Sequence, residues 1–144
     1  MWSHPRASTS HWEPAQGGPM SVFVANLAEY EAIATTVQHY IDGAKTGKGA
    51  AMEPAFHPDA TIQGYFEGEL FAGTIRLLFD YVDQDKPATG LKWRITSVDI
   101  AGTIANARVE LDDWNGHRFT DLFNLLKVDG NWKIMNKVFH THPT

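Results

Sequence analysis

The sequence predicts an α+β protein in which three N-terminal helices pack on a strongly curved, mostly antiparallel sheet. Apolar residues recur every three or four positions from Asn26 to about Ala44, which indicates an amphipathic helix. After Leu91 the chain consists of four long strand-like runs separated by short turns that contain glycine. Helices followed by a run of strands are typical of folds in which the helices cover one face of the sheet.

Composition indicates one globular domain and excludes several classes of partner. The chain has 144 residues, 43% of them hydrophobic, and a formal net charge of −5. Such a charge offers no basic surface for nucleic acid or an anionic membrane. No run approaches the ~18 apolar residues of a membrane span, and no secretory signal is recognisable. Cysteine is absent, which excludes disulfides and thiolate chemistry and fits a cytoplasmic location.

Residues 1–20 have no apolar periodicity and are rich in proline, glycine and small polar residues. We expect a disordered or tag-like extension there, followed by a single domain over residues 21–144. The opening Trp-Ser-His-Pro resembles the start of a streptavidin-binding affinity tag.

Three helices are predicted before the sheet. The first begins at Asn26, which forms a capping box with Glu29. A second short helix or turn covers residues 49–56. A third is capped by Gly73-Thr74 and ends before Pro87.

Six strands are predicted, and turn residues set their ends. Two of them, Ala60–Phe66 and Glu69–Ala72, precede the third helix. The others are Lys92–Ile100, Thr103–Asp113, His117–Lys127 and Asn131–His140.

The last two strands form the clearest hairpin, because Asp129-Gly130 is typical of a tight two-residue turn. A regular ladder from that turn puts Asp121, Asn136 and His140 on one largely apolar face, which we interpret as a pocket floor. That face comprises Phe119, Asp121, Phe123, Leu125, Trp132, Ile134, Asn136, Val138 and His140.

The Asn115-Gly116 turn determines which face of the preceding strand is buried. A plain two-residue loop would put Ala107, Val109 and Leu111 on the face opposite Phe119. We therefore predict a loop of odd length, which also brings Asp113 onto the face that carries Asp121.

With these elements in place, the chain resembles the nuclear transport factor 2-like superfamily, in particular its branch labelled putative lumazine-binding. The resemblance rests on the run Phe56–Ala60, on Phe119-Thr120-Asp121, on Lys127–Ile134 and on Lys137–His140. It covers Ser21–His142 and implies a cone-shaped α+β barrel with a deep pocket, often dimeric through the outer face of the sheet. Relatives include ketosteroid isomerases, scytalone dehydratases, epoxide hydrolases and polyketide cyclases, together with members of no known activity.

Asp121 is the leading catalytic candidate, because an apolar setting raises the pKa of a carboxyl group towards that of a general base. His140, Asp113 and His57 are the other candidates for acid/base chemistry. In the alternative interpretation Asp121 is structural and accepts hydrogen bonds that fasten the sheet to a helix.

The expected ligand is a small apolar or aromatic cyclic metabolite, bound without a cofactor or metal. Tyrosine hydroxyls among its contacts can donate to a carbonyl or enolate oxygen. The ligand-binding candidates are Tyr40, Tyr65, Trp93, Trp114, Phe79 and Asn136.

The residues leave three functions open. The leading one is cofactor-independent acid/base catalysis of the isomerase, dehydratase or cyclase type, and its rival is a non-catalytic binding or dimerisation module. An epoxide hydrolase is a third, if Asp113, Arg94 and Asp121 form a water-activating cluster. We also expect a homodimer through outward-facing apolar residues of the last hairpin, namely Leu122, Leu126, Met135 and Phe139.

Overall fold

The computed structural model describes residues 18–144, with side chains described from residue 26. Of the segment predicted to be a disordered or tag-like extension, residues 1–17 lie outside the described residues. Residues 18–20 belong to the first helix. The chain divides into two compact units at Ala32. The described part of the first unit is the N-terminal part of that helix, and the core and the pocket lie within Ala32–Thr144.

The predicted α+β class is confirmed, with three helices and one six-stranded sheet within residues 18–144. The helices are α1 (Gly18–Thr46), α2 (Gly49–Met52) and α3 (Arg76–Gln84), and a 3-10 turn at Glu53–Ala55 follows α2. The strands are β1 (Phe56–Phe66), β2 (Glu69–Thr74), β3 (Lys92–Ala101), β4 (Ile104–Trp114), β5 (His117–Val128) and β6 (Asn131–Thr141). Their order in the sheet is β2-β1-β6-β5-β4-β3, and every neighbouring pair is antiparallel except β1 and β6.

The core lies between the helices and one face of this sheet. On α1 the buried side chains Ile33, Val37, Tyr40, Ile41 and Ala44 follow the predicted spacing of three and four. On the sheet, alternate residues of β4 and β5 are buried, as a strand with one solvated face requires.

Three predicted boundaries are wrong. Helix α1 begins at Gly18 rather than Asn26, and Pro19 is compatible with a first helical turn. Strand β1 begins at Phe56 and includes Pro58, because its pairing with β6 is interrupted between Phe56 and Thr61. Thr74 belongs to β2, so Ile75 precedes α3 and no side chain caps it.

The predicted ladder of the β5–β6 hairpin holds only near its turn. Val128 pairs with Asn131 and Leu125 with Ile134, but Asn124 pairs with Asn136, so Met135 is an extra residue in β6. A one-residue bulge exchanges the two faces of the strand beyond it. Lys137 and Phe139 are therefore buried. The residues predicted to lie inward, Asn136, Val138 and His140, lie on the outer face instead.

The inner faces of β4 and β5 carry the residues that were predicted for them. The prediction of a loop of odd length between the two strands is wrong. Leu111 pairs with Phe119 and Val109 with Asp121, so these side chains share the inner face. Asn115-Gly116 is a plain two-residue loop with positive φ at both positions, 51° and 91°. The register changes instead at Asp112-Asp113, where Asp113 has φ 59° and is exposed.

Gly64 allows Phe139 to occupy its inward position. The two residues are paired across β1 and β6, and a Cβ at Gly64 would lie 2.5 Å from both the ring and the carbonyl oxygen of Phe139. Any larger residue at position 64 must therefore displace β6 near the extra residue Met135.

We expect Gly64→Ala to lower the free energy of unfolding by about 1–3 kcal/mol, the usual cost of overpacking. Urea denaturation of the wild type and the variant measures it. The control is the same substitution in a Phe139→Leu background, where the cost should be smaller because the ring is gone. An equal cost in both backgrounds would show that the ring is not the obstacle.

Candidate active site

An aromatic pocket opens between β1, β2, α3 and the inner face of β4 to β6. Its lining residues are Ile62, Phe66, Phe71, Leu78, Tyr81, Trp114, His117, Phe119, Lys137 and Phe139. The cavity volume is about 40 Å³, well below the ~300–1,000 Å³ of sites for drug-sized molecules. In this conformation the pocket accommodates only a small molecule.

Lys137 brings a buried amine to this pocket. The bulge at Met135 turns its side chain inward, where only 6% of it is exposed. Its Nζ lies 5.1 Å from the ring centre of Tyr40, 5.6 Å from that of Trp114 and 5.0 Å from that of Phe139. Three aromatic faces around one ammonium group stabilise its positive charge, although less well than water does.

Asp121 lies behind Lys137 and is completely buried. The hydroxyl of Tyr40 on α1 donates a hydrogen bond of 2.6 Å to Oδ2 of Asp121. The other oxygen, Oδ1, is 3.9 Å from Nζ of Lys137, which is too far for a hydrogen bond. Among the described residues Oδ1 has no hydrogen-bond partner. The carboxylate is thus held on one side and faces the amine across a gap on the other.

Burial shifts the ionisation of all three groups towards their neutral forms. Desolvation raises the pKa of Asp121, although the charge of Lys137 and the hydrogen bond from Tyr40 act against it. Desolvation lowers the pKa of Lys137, opposed by the charge of Asp121. The pKa of Tyr40 is raised by burial and by Asp121. Because the pKa of the carboxyl group is raised and that of the amine is lowered, their proton affinities are brought closer together, which favours proton exchange between them.

Two further polar side chains line the pocket, and both were missed as site candidates. The His117 ring packs against Phe66, with ring centres 4.9 Å apart, and against Phe119 at 5.9 Å. The pKa of Tyr81 is raised by partial burial and by the nearby carboxylates of Asp85 and Glu67.

Three of the predicted site residues come together here, namely Asp121, Tyr40 and Trp114. Their rings and carboxylate form the surroundings of Lys137, which the regular ladder had placed on the outer face. The signal that could have revealed the inward turn is Gly64, because a glycine within a strand often marks the close approach of a neighbouring chain.

The predicted partners of Asp121 lie elsewhere. His140 is exposed on the outer face, with its ring 4.8 Å from that of His142. Asn136 donates hydrogen bonds to Thr61 at 3.0 Å and Gln63 at 2.7 Å on the same face.

Asp113 and Arg94 do not form, with Asp121, the water-activating cluster that an epoxide hydrolase would need. The exposed carboxylate of Asp113 accepts a hydrogen bond from the amide of Gly116 and closes the turn. Arg94 is exposed and follows the half-buried Trp93 on β3, so it belongs to the other face. Neither side chain reaches Asp121.

Asp121 and Tyr40 lie behind Lys137 rather than in the pocket lining, and the remaining candidates lie elsewhere. His57 and Phe79 share a separate depression beside α3, where Nδ1 of His57 accepts the amide hydrogen of Asp59 at 3.0 Å. Tyr65 is 66% exposed. Trp93 is half-buried against the core.

The described residues contain neither a metal-binding cluster nor a membrane-spanning helix. Within residues 26–144, no three His, Asp or Glu side chains come together in a way that could hold a metal ion. No helix in the described part of the chain is long and apolar enough to cross a membrane.

The architecture places the protein in the nuclear transport factor 2-like superfamily, as the sequence resemblance implied. Residues 28–140 match the profile of the family described as "putative lumazine-binding", and the chain belongs to that family.

Three relatives illustrate the relationship. An NTF2-like protein of unknown function from Shewanella baltica has a crystal structure that matches 82% of this chain and 97% of its own, with a TM-score of 0.78 and 43% identity. One from Methylobacillus flagellatus matches 81% of this chain and 94% of its own, with a TM-score of 0.78 and 44% identity. The aldolase FrzH of a Cladobotryum species is 32% identical over 117 residues, which are 81% of this chain and 94% of that protein.

We expect opposite pH dependences of stability when either member of the buried pair is removed. In Lys137→Met, Asp121 loses the cation that lowers its pKa. Its folded pKa then lies further above the unfolded value. The free energy of unfolding is therefore highest below the unfolded pKa and falls as pH rises through the folded pKa. In Asp121→Asn, the pKa of Lys137 falls further below its unfolded value. The free energy of unfolding is then highest above the unfolded pKa of Lys137 and falls as pH falls through its folded pKa.

Urea denaturation between about pH 5 and pH 9 measures both slopes. Each single variant should lose about 3–5 kcal/mol where the remaining group is ionised. The double variant Asp121→Asn/Lys137→Met is the control and should show the weakest pH dependence. Slopes of the same sign in the two single variants would contradict the assignment.

Proposed function

We propose that this protein is an enzyme of the lyase type that makes or breaks a carbon–carbon bond beside the carbonyl group of a small metabolite. The observation that carries the proposal is the buried set of Tyr40, Asp121 and Lys137 at an aromatic pocket. It combines a proton-transferring carboxyl group with a cationic or nucleophilic amine, both buried.

This set matches what carbonyl chemistry needs. Reaction at the carbon beside a carbonyl group requires a base for one proton and a group that stabilises negative charge on the carbonyl oxygen. Asp121, with its raised pKa, suits the first task, and the ammonium or amine of Lys137 suits the second. Neither task needs a cofactor. The aromatic lining favours a substrate with an apolar or flat body.

The relationship to FrzH supports a lyase over the other acid/base reactions. That protein is named an aldolase, and the similarity extends over nearly its whole length. Isomerisation and dehydration begin with the same proton transfer. An activity assay must therefore distinguish these two reactions from carbon–carbon bond formation or cleavage. The isomerase, dehydratase and cyclase types diverge only in the later steps of the reaction.

A non-catalytic binding module is the rival function. It is favoured by one specific contact, the 2.6 Å hydrogen bond from Tyr40 to Asp121, which fastens α1 to the sheet whether or not chemistry occurs. In that case the pocket would bind a small ligand without changing it.

We expect turnover with a panel of small aldehydes and ketones offered in pairs, detected as new products by mass spectrometry. Lys137→Met and Asp121→Asn should each reduce the rate by about 10²-fold or more, the usual effect of losing an acid/base group. Lys92→Met, at an exposed lysine, is the matched control and should leave the rate unchanged. Ligand-induced thermal stabilisation without any product from the wild type would favour the binding module.

We also propose a homodimer formed through the outer face of the sheet, in the cytoplasm. Phe139 is no part of this surface, because it is buried. Leu122 pairs with Val138, and they are 45% and 43% exposed, while the half-buried Leu126 pairs with Ile104, which is 55% exposed. These two apolar pairs lie on one face, separated by the exposed Asn124, and together offer apolar surface of the kind that associates.

Leu122→Lys should convert the dimer to a monomer, because it places a charge in the proposed interface beside Val138. Size-exclusion chromatography with light scattering measures the mass. Leu70→Lys, at an exposed leucine on β2, is the control and should leave the mass unchanged. A monomeric wild type would disprove the dimer.

A further inference from the structure

We infer that Lys137 is a covalent nucleophile whose ε-amine forms a Schiff base with a small aldehyde or ketone bound in the pocket. The inference rests on the proposed function and names the atom that performs it. The ordinary alternative is that Lys137 serves only as a buried cation that neutralises Asp121.

The position of Nζ favours the nucleophile. Lys137 is one of the residues that line the pocket, so its side chain borders the space a ligand would occupy. Its ion partner, Oδ1 of Asp121, is 3.9 Å away, beyond hydrogen-bond distance. A lysine held only as a counter-ion would be expected to contact its carboxylate closely, since such contact offsets the cost of burying two charges.

The surroundings of Nζ favour the reactive state. A Schiff base can form only from the unprotonated amine, and the pKa of Lys137 is lowered by burial among the rings of Tyr40, Trp114 and Phe139. Desolvation in an apolar pocket is a recognised way to activate lysine amines for this chemistry. Lys92 is exposed and Lys133 donates to the carbonyl oxygen of Pro54, so neither shares this environment.

The covalent step balances without an oxidant or reductant. The lone pair of Nζ attacks the carbonyl carbon, a carbon–nitrogen bond forms, and the carbonyl oxygen takes up a proton as nitrogen loses one. The resulting hydroxyl group leaves as water once it is protonated again, which gives a protonated imine. Loss of a proton from the adjacent carbon gives an enamine. The enamine carbon then bonds to the carbonyl carbon of a second molecule, whose oxygen takes up a proton, and water finally releases the product and the free amine.

Asp121 is positioned to move the proton in the first half of this sequence. Its Oδ1 faces Nζ and carries no hydrogen bond in the described part of the chain. Its raised pKa lets it accept a proton from nitrogen and return it to the departing hydroxyl group. Tyr40 is a positioning residue, because its hydrogen bond to Oδ2 fixes the direction of Oδ1.

The lining also limits the substrate class. Among the described residues around the pocket, Lys137 is the only lysine or arginine. A phosphorylated sugar would need a further cation for its phosphate group. The pocket therefore suits an unphosphorylated aldehyde or ketone with few polar groups.

The test is reductive trapping of the wild-type protein with acetone or pyruvate and sodium cyanoborohydride near neutral pH, followed by peptide mass spectrometry. Borohydride converts an imine into a stable secondary amine, so the modified lysine retains the carbon skeleton of the probe. Lys137 should be labelled at least about tenfold faster than Lys92, because a buried amine with a lowered pKa is neutral, and therefore reactive, in a larger fraction of the molecules. The exposed lysines of the same molecules serve as internal references.

Two variants separate a nucleophile from a cation. Lys137→Arg keeps the charge beside Asp121 but cannot form this imine, and Lys137→Met removes both. If Lys137 is the nucleophile, neither variant turns over substrate and neither is trapped at position 137. Circular dichroism and the melting temperature show whether each variant folds, and trapping of the wild type does not depend on either of them.

The outcomes distinguish this inference from the proposed function. Turnover by the wild type with Lys137 labelled no faster than Lys92 would overturn the Schiff base and leave the lyase function intact. Turnover retained by Lys137→Arg would overturn it as well. Preferential labelling of Lys137 without turnover of any carbonyl pair would support the reactive amine and count against the lyase function.

Discussion

The site depends on a carboxylate and an amine buried together without close contact. Asp121 and Lys137 are 0% and 6% exposed at the side chain, yet their nearest charged atoms are 3.9 Å apart. Removing two charges from water costs several kcal/mol each, and only short, well-directed contacts offset that cost. Replacing such a pair with apolar residues often stabilises a protein. The pair is therefore poorly explained as a stabilising feature and better explained as a site whose protonation changes during function.

The rest of the fold supplies the parts that hold this pair. Helix α1 contributes Tyr40, which fastens one oxygen of Asp121 and presents its ring to Lys137. The extra residue Met135 turns Lys137 inward, and Gly64 on the neighbouring strand makes room for Phe139, a second ring beside the amine. A one-residue irregularity in β6 thus decides whether the pocket contains an amine. Bulges next to active sites commonly redirect side chains in this way.

The sequence was sufficient for the class of fold and for the inner-face position of Asp121, but not for the inward position of Lys137. Turn glycines at positions 102, 116 and 130 delimit the last four strands to within about one residue, because positive φ restricts which residues can form such turns. Along β6, however, both possible faces are equally mixed: Asn136 and Val138 alternate with Lys137 and Phe139. A pattern that is the same on both faces cannot reveal a change of register. Asp113 was misplaced for a related reason, since the register changed in a bulge rather than in the loop.

The three rings around Lys137 suit both charge states that an imine mechanism requires. At the start the amine must be neutral, and burial among Tyr40, Trp114 and Phe139 disfavours its charged form. Once the imine is protonated, nitrogen carries a positive charge. The faces of the same rings and the carboxylate of Asp121 then stabilise that charge. An interaction that is weak with the resting amine and strong with the charged intermediate lowers the energy barrier between these two states. A tight ion pair in the resting state would stabilise the starting state as well and would not lower that barrier.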